Sequence, residues 1–72
     1  MALIEHSSED RMQREEAAER LRQLADDLAR HNEVSFVRDG VRFTVPVPDE
    51  VTLSIEVEAG GDENEIEIEL TW

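Results

Sequence analysis

The stretch Val51-Thr52-Leu53-Ser54-Ile55-Glu56-Val57-Glu58 and, after a short connector, Glu65-Ile66-Glu67-Ile68-Glu69-Leu70-Thr71-Trp72 alternate between apolar and polar residues. In the first every odd position is apolar and in the second every even one, the period of strands with one buried face. The connector Ala59-Gly60-Gly61-Asp62-Glu63-Asn64 carries turn residues. Folded about Gly61-Asp62 as a two-residue loop, it predicts Val57 opposite Ile66, Ile55 opposite Ile68, Leu53 opposite Leu70 and Val51 opposite Trp72. One register thus gathers every apolar position on one face.

Upstream, Val34-Ser35-Phe36-Val37-Arg38 and Val41-Arg42-Phe43-Thr44-Val45 flank Asp39-Gly40, a strong hairpin signal. A two-residue loop there sets Phe36 against Phe43 and Val34 against Val45. Pro46 and Pro48 close this hairpin, because neither has an N–H for a ladder, and Pro48-Asp49-Glu50 turns the chain toward the last two strands. Laying the two hairpins side by side would place Val45 opposite Leu53 and Phe43 opposite Ile55, with Arg42 beside Glu56 on the outer face. The same outer face sets Glu56 against Glu67 and Glu58 against Glu65, which is unfavourable in dilute buffer.

Between Arg14 and Arg30, the apolar residues Ala17, Ala18, Leu21, Leu24, Ala25 and Leu28 recur at three and four, predicting an amphipathic helix. Ser8-Glu9-Asp10 offers capping oxygens and negative charge before it. Asp10 with Gln13 forms a possible capping box, with a start nearer Arg14 as the alternative. Glu16 with Arg20 and Asp26 with Arg30 stand four apart, each pair worth about 0.3 kcal/mol. His31-Asn32 suits the far end, Asn32 as a left-handed cap. Ala2 to His6 is short and loosely alternating, consistent with a first strand paired to the last. The expected fold is a two-layer α+β domain spanning residues 1–72, ordered strand, helix and four strands, with the helix packed on a mainly antiparallel four- or five-stranded sheet.

The 72 residues carry 19 acids against 7 basic residues, a net charge of -12, and every basic residue is arginine. Such a body repels itself until salt shortens the Debye length, to about 3 Å at 1 M. This charge pattern fits the carboxylate-clad surface of a protein living in concentrated salt. The rival reading, an acidic nucleic-acid mimic that binds a basic protein, requires carboxylates gathered on one face, whereas here they occupy the outward positions of helix and strands alike. There is no cysteine for a disulfide or thiolate site. With neither a bilayer-length apolar run nor a signal-peptide pattern, the expected location is the cytoplasm, without membrane or direct nucleic-acid contact.

The run Arg14-Glu15-Glu16-Ala17-Ala18, its continuation through Leu21-Arg22 and Leu24-Ala25-Asp26, the turn Val47-Pro48-Asp49-Glu50-Val51 and the ending Glu67-Ile68-Glu69-Leu70-Thr71-Trp72 together resemble the amphi-Trp domain. That is a small family common in halophilic archaea, and the likeness covers nearly the whole chain. Gln13 departs from the serine or threonine expected before the Arg-Glu-Glu run. The resemblance implies the α+β fold and the salt-rich habitat. It implies no activity and carries over no functional residue.

Side chains that could bear chemistry have plainer roles. His6 and His31 lack any ligand spacing, and His6-Ser7-Ser8 lacks the oriented base and oxyanion site of a triad. The strand carboxylates lie on an open face that does not wrap a hard cation. No cofactor, metal or catalytic residue is predicted. Trp72 is most simply a plug at the open end of the core, or else an exposed anchor for a partner. From Val34 to Pro48 two arginines meet a single acid, Asp39, leaving one neutral-to-basic patch. Ser35, Val37, Arg38 and Arg42 are therefore the candidate docking edge, for an unknown protein partner or a second copy. The leading expectation is a non-enzymatic interaction or self-association module. A small enzyme or ligand-binding domain would need a concave pocket that one helix on one sheet hardly provides.

Overall fold

A computed structural model describes residues 7–72. The first-strand expectation at Ala2 to His6, and His6 itself, lie outside the described residues. The described elements are one helix, α1 (Arg14–Arg30), and four strands, β1 (Glu33–Arg38), β2 (Val41–Pro46), β3 (Thr52–Glu58) and β4 (Glu65–Thr71). All pairing is antiparallel. The class is α+β, as the alternating and helical periods predict.

Both hairpin registers follow the apolar pattern. In the first, Val34 faces Val45 and Phe36 faces Phe43. The two phenyl rings stack with centroids 5.5 Å apart and planes inclined by 17°. Asp39 and Gly40 adopt φ of 52° and 76°, the left-handed pair that a two-residue loop needs to match strand twist. A Cβ added at Gly40 would meet nothing within 4 Å, so any side chain there is penalised by the backbone and not by a clash. Gly40→Val is therefore expected to cost about 1–2 kcal/mol, read as a lower urea midpoint with an unchanged slope.

In the second hairpin Leu53 faces Leu70, Ile55 faces Ile68 and Val57 faces Ile66. The ladder runs to Thr52 and Thr71, in the register that sets Val51 opposite Trp72 just beyond it. Gly60, at φ 105°, donates its N–H to Asn64 Oδ1 at 3.2 Å and closes the loop.

The two hairpins do not join. They form separate two-stranded sheets, β1 with β2 and β3 with β4, and the expected pairing of Val45 with Leu53 and Phe43 with Ile55 is absent. The cause lies at the end of β2. Val47 donates its N–H to the Asn32 carbonyl at 2.7 Å, prolonging the ladder toward the β1 side. By the period of two, the N–H groups of Arg42, Thr44 and position 46 point to the other edge. Position 46 is proline, and Pro48 follows it, so that edge runs out of donors where β3 would have to begin.

The helix also departs from a layer over one broad sheet. Its backbone approaches β1, whereas the β3–β4 hairpin makes no close backbone approach and meets α1 and the first hairpin only through Leu70 and Trp72 at its open end. Gln13 is the N-cap but makes no side-chain capping bond, so the Asp10–Gln13 box is not formed. Asp10 instead accepts from Arg20 Nη1 at 3.3 Å, drawing Arg20 away from the expected Glu16 pair. His31 caps the far end in an extended conformation, its N–H on the Asp27 carbonyl at 2.9 Å. Asn32 is not left-handed, since Asp39 is the one non-glycine described residue with positive φ. The core is correspondingly small: among the described residues only Val47, at 8% exposure, is a buried hydrophobe.

Candidate interaction surface

Three of the five residues singled out from sequence share one surface. Ser35 and Val37 have the same parity on β1, and Arg42 lies directly opposite Val37. Together with Asp27 and His31 from the end of α1, and Glu33, they line an open concavity of about 400 Å³. Val37 is 58% exposed there. The patch is not basic, however. Folding brings Asp27 and Glu33 beside Arg42, two acids that lie outside the Val34–Pro48 window. The expected Arg42–Glu56 pair is lost for the reason given above, because β2 and β3 belong to different sheets.

Arg38 does not belong to this surface. It has the parity of Val34 and Phe36, lies opposite Val41, and holds Asp39 at 3.9 Å at the hairpin tip. Trp72 is elsewhere again. With Leu70 it borders an apolar cleft of about 280 Å³ whose other walls are Leu24 and Leu28 of α1, Val34 and Val45 of the first hairpin, and Val47. The tryptophan therefore stands at the helix side, as a plug would, yet it stays 58% exposed, as an anchor would.

The largest apolar surface is the one that alternation assigned to the core. Leu53, Ile55 and Val57 on β3 and Ile66 and Ile68 on β4 are all exposed, Ile55 by 62% and Ile66 by 69%. α1 and the first hairpin meet this hairpin only at its Leu70–Trp72 end and leave these five side chains uncovered. The signal is in the sequence: eight strictly alternating apolar residues specify a face to be buried, but not what buries it.

The opposite face of the same hairpin carries the like-charge pairs Glu56–Glu67 and Glu58–Glu65. These four carboxylates surround an open hollow of about 100 Å³. Glu65, through a shared proton and through repulsion, pushes the Glu67 carboxyl above its ordinary value of 4.5, while a hydrogen bond with Glu56 pulls partly the other way. A raised folded-state value means that the folded chain binds the proton more readily than the unfolded one. Stability from this group is present at low pH and is lost as pH rises through the window above 4.5. The expected result is a thermal midpoint that falls from pH 4.5 toward 7 by more in wild type than in Glu67→Gln.

Among the described residues, no three histidine, cysteine or carboxylate side chains converge so as to hold a metal ion. No helix of the described residues is long and apolar enough to cross a membrane. The family model for the Amphi-Trp domain matches residues 2–72, essentially the whole chain. No curated protein and no solved structure matches it.

Proposed function

The chain belongs to the Amphi-Trp domain family, and from that premise and its uncovered strands we propose that it is a non-enzymatic protein-interaction module adapted to concentrated salt. One observation carries this reading: the β3–β4 hairpin exposes a continuous face of Leu53, Ile55, Val57, Ile66 and Ile68 while a single described hydrophobe is buried. Contiguous apolar faces of this kind mark surfaces that meet another protein. The concavities beside His31 are open and mostly polar, and the apolar cleft beside Trp72 is open and carries no polar group to orient a substrate, which favours contact over enclosure. The Ser35, Val37 and Arg42 surface is the alternative contact, not a part of this one.

The acidity supports a cytoplasm of molar salt as the working environment. Carboxylates on both the helix and the strands keep such a surface hydrated there, and the Glu56–Glu67 and Glu58–Glu65 pairs lose most of their repulsion. Those pairs also favour a second reading, an acidic face that competes with nucleic acid for a basic protein. Replacing Glu56, Glu58, Glu65 and Glu67 with glutamine would abolish competition with DNA under that reading and leave the module's association intact.

The test of the first reading is binding of a hydrophobic fluorophore by the folded chain at about 0.1 M KCl, where charge keeps copies apart. The expected result is binding that drops in Ile55→Thr, with a cooperative thermal transition in both proteins. A cooperatively folded monomer that binds no dye would show the face to be covered within the chain and would end this reading.

A further inference from the structure

We infer that the β3–β4 face is covered by a second copy of this chain, two hairpins packing apolar face to apolar face about a two-fold axis near Ile55 and Ile68. The inference rests on the interaction-module reading and names its partner.

Surface area is the first argument. The chain exposes 7055 Å², whereas a compact monomer of its 8.3 kDa exposes about 4,600 Å². Any six residues of wholly unfolded chain would contribute only about 1,000 Å² of such a surplus. The remainder is surface that folding alone does not remove. Leu53, Ile55, Val57, Ile66, Ile68 and Trp72 are each more than half exposed. Covering them removes roughly 100 Å² apiece, so two copies bury about 1,200 Å², the lower edge of stable protein interfaces.

Charge is the second. Glu56, Glu58, Glu65, Glu67 and Glu69 all have the parity of the other face, and the inward positions of both strands are wholly apolar. A basic or polar partner finds no complement on this face and finds many on the reverse. An identical copy, itself charged -12, can approach closely only where neither surface bears a carboxylate. This face meets that condition.

Shape is the third. A two-stranded twisted ribbon with one apolar side is self-complementary under a two-fold rotation, and facing sheets settle about 10 Å apart with their side chains interleaved. The Ile55–Ile68 pair lies at the middle of the ladder, where such an axis would pass.

Sedimentation equilibrium of the full chain in about 2 M KCl tests this, with circular dichroism confirming that each protein is folded. Wild type is expected to sediment at twice its 8.3 kDa mass. Ile68→Thr keeps a β-branched residue in the strand, and is expected to raise the dissociation constant at least about tenfold. Val37→Glu, on the first hairpin, is expected to leave it unchanged. A dimer lost in Val37→Glu and kept in Ile68→Thr would overturn the inference while sparing the interaction reading. A folded wild-type monomer would overturn it as well. In that case an added thiol, Ile55→Cys, separates the two readings: rapid reaction with maleimide leaves the face open for another protein, and protection from it removes the interaction reading too.

Discussion

Raising KCl from 0.1 M to 1 M tightens self-association about a hundredfold. Two bodies of charge -12 with centres about 28 Å apart repel by roughly 20 kcal/mol in unscreened water. Finite size and a Debye length of about 10 Å at 0.1 M reduce this to a few kcal/mol, and about 3 Å at 1 M leaves well under one. The difference, about 3 kcal/mol, is close to two decades in the dissociation constant. Apolar contact does not weaken over the same range, so net affinity follows the screening. The check is a titration of dimer fraction against KCl by sedimentation or light scattering. Affinity independent of salt would mean that the carboxylates are far from the contact or already neutralised.

Phe36→Ala is expected to cost about 2 kcal/mol of stability. Truncating a fully buried phenylalanine costs about 3–5 kcal/mol, and here the ring, stacked on Phe43 at 5.5 Å, is largely but not fully covered. In a chain of this size the total stability is about 4–10 kcal/mol, and the loss translates to a midpoint about 8–16 °C lower. Phe36→Leu should recover part of it. Val37→Ala, one residue along on the opposite face, should cost little, and an equal loss there would deny that the stacked phenyl pair organises the first hairpin.

Local pairing was fully legible in the amino-acid sequence. Asp39-Gly40 dictates a loop with both residues left-handed, and the alternation of Leu53, Ile55 and Val57 against Ile66, Ile68 and Leu70 admits one register. Each relation spans few residues and depends on backbone geometry that side-chain type controls. The helix between Arg14 and Arg30 was legible for the same reason.

What joins the elements was not. A meander of four strands assumes that β2 offers a free edge, yet Val47 gives its N–H to Asn32 and Pro46 has none to give. The missing N–H of Pro46 is plain in the sequence, but the edge it depletes shows only once the ladder's phase is known. The candidate surface divided along the same line. Ser35, Val37 and Arg42 fall together because parity and register place them so, and Arg38 has the other parity. The acids beside Arg42 come from the end of α1 and the first residue of β1, and no local window shows them. Trp72 combines the plug and the anchor that its place in the sequence allows, bordering the helix while staying exposed. The alternation marks the β3–β4 face as one to be buried, but nothing in the period of two says whether the chain's own helix reaches it, and the face is exposed.

Isotope-filtered NMR on a mixture of labelled and unlabelled chain in high salt distinguishes these two ways of covering the face. If a second copy covers it, the methyls of Ile55, Ile66 and Ile68 in one copy show cross-peaks to the same group in the other, and none to Leu21 or Leu24 of their own helix. Cross-peaks from those isoleucine methyls only to Leu21 and Leu24 within one chain would contradict it, placing the helix over the sheet and leaving no apolar face to share.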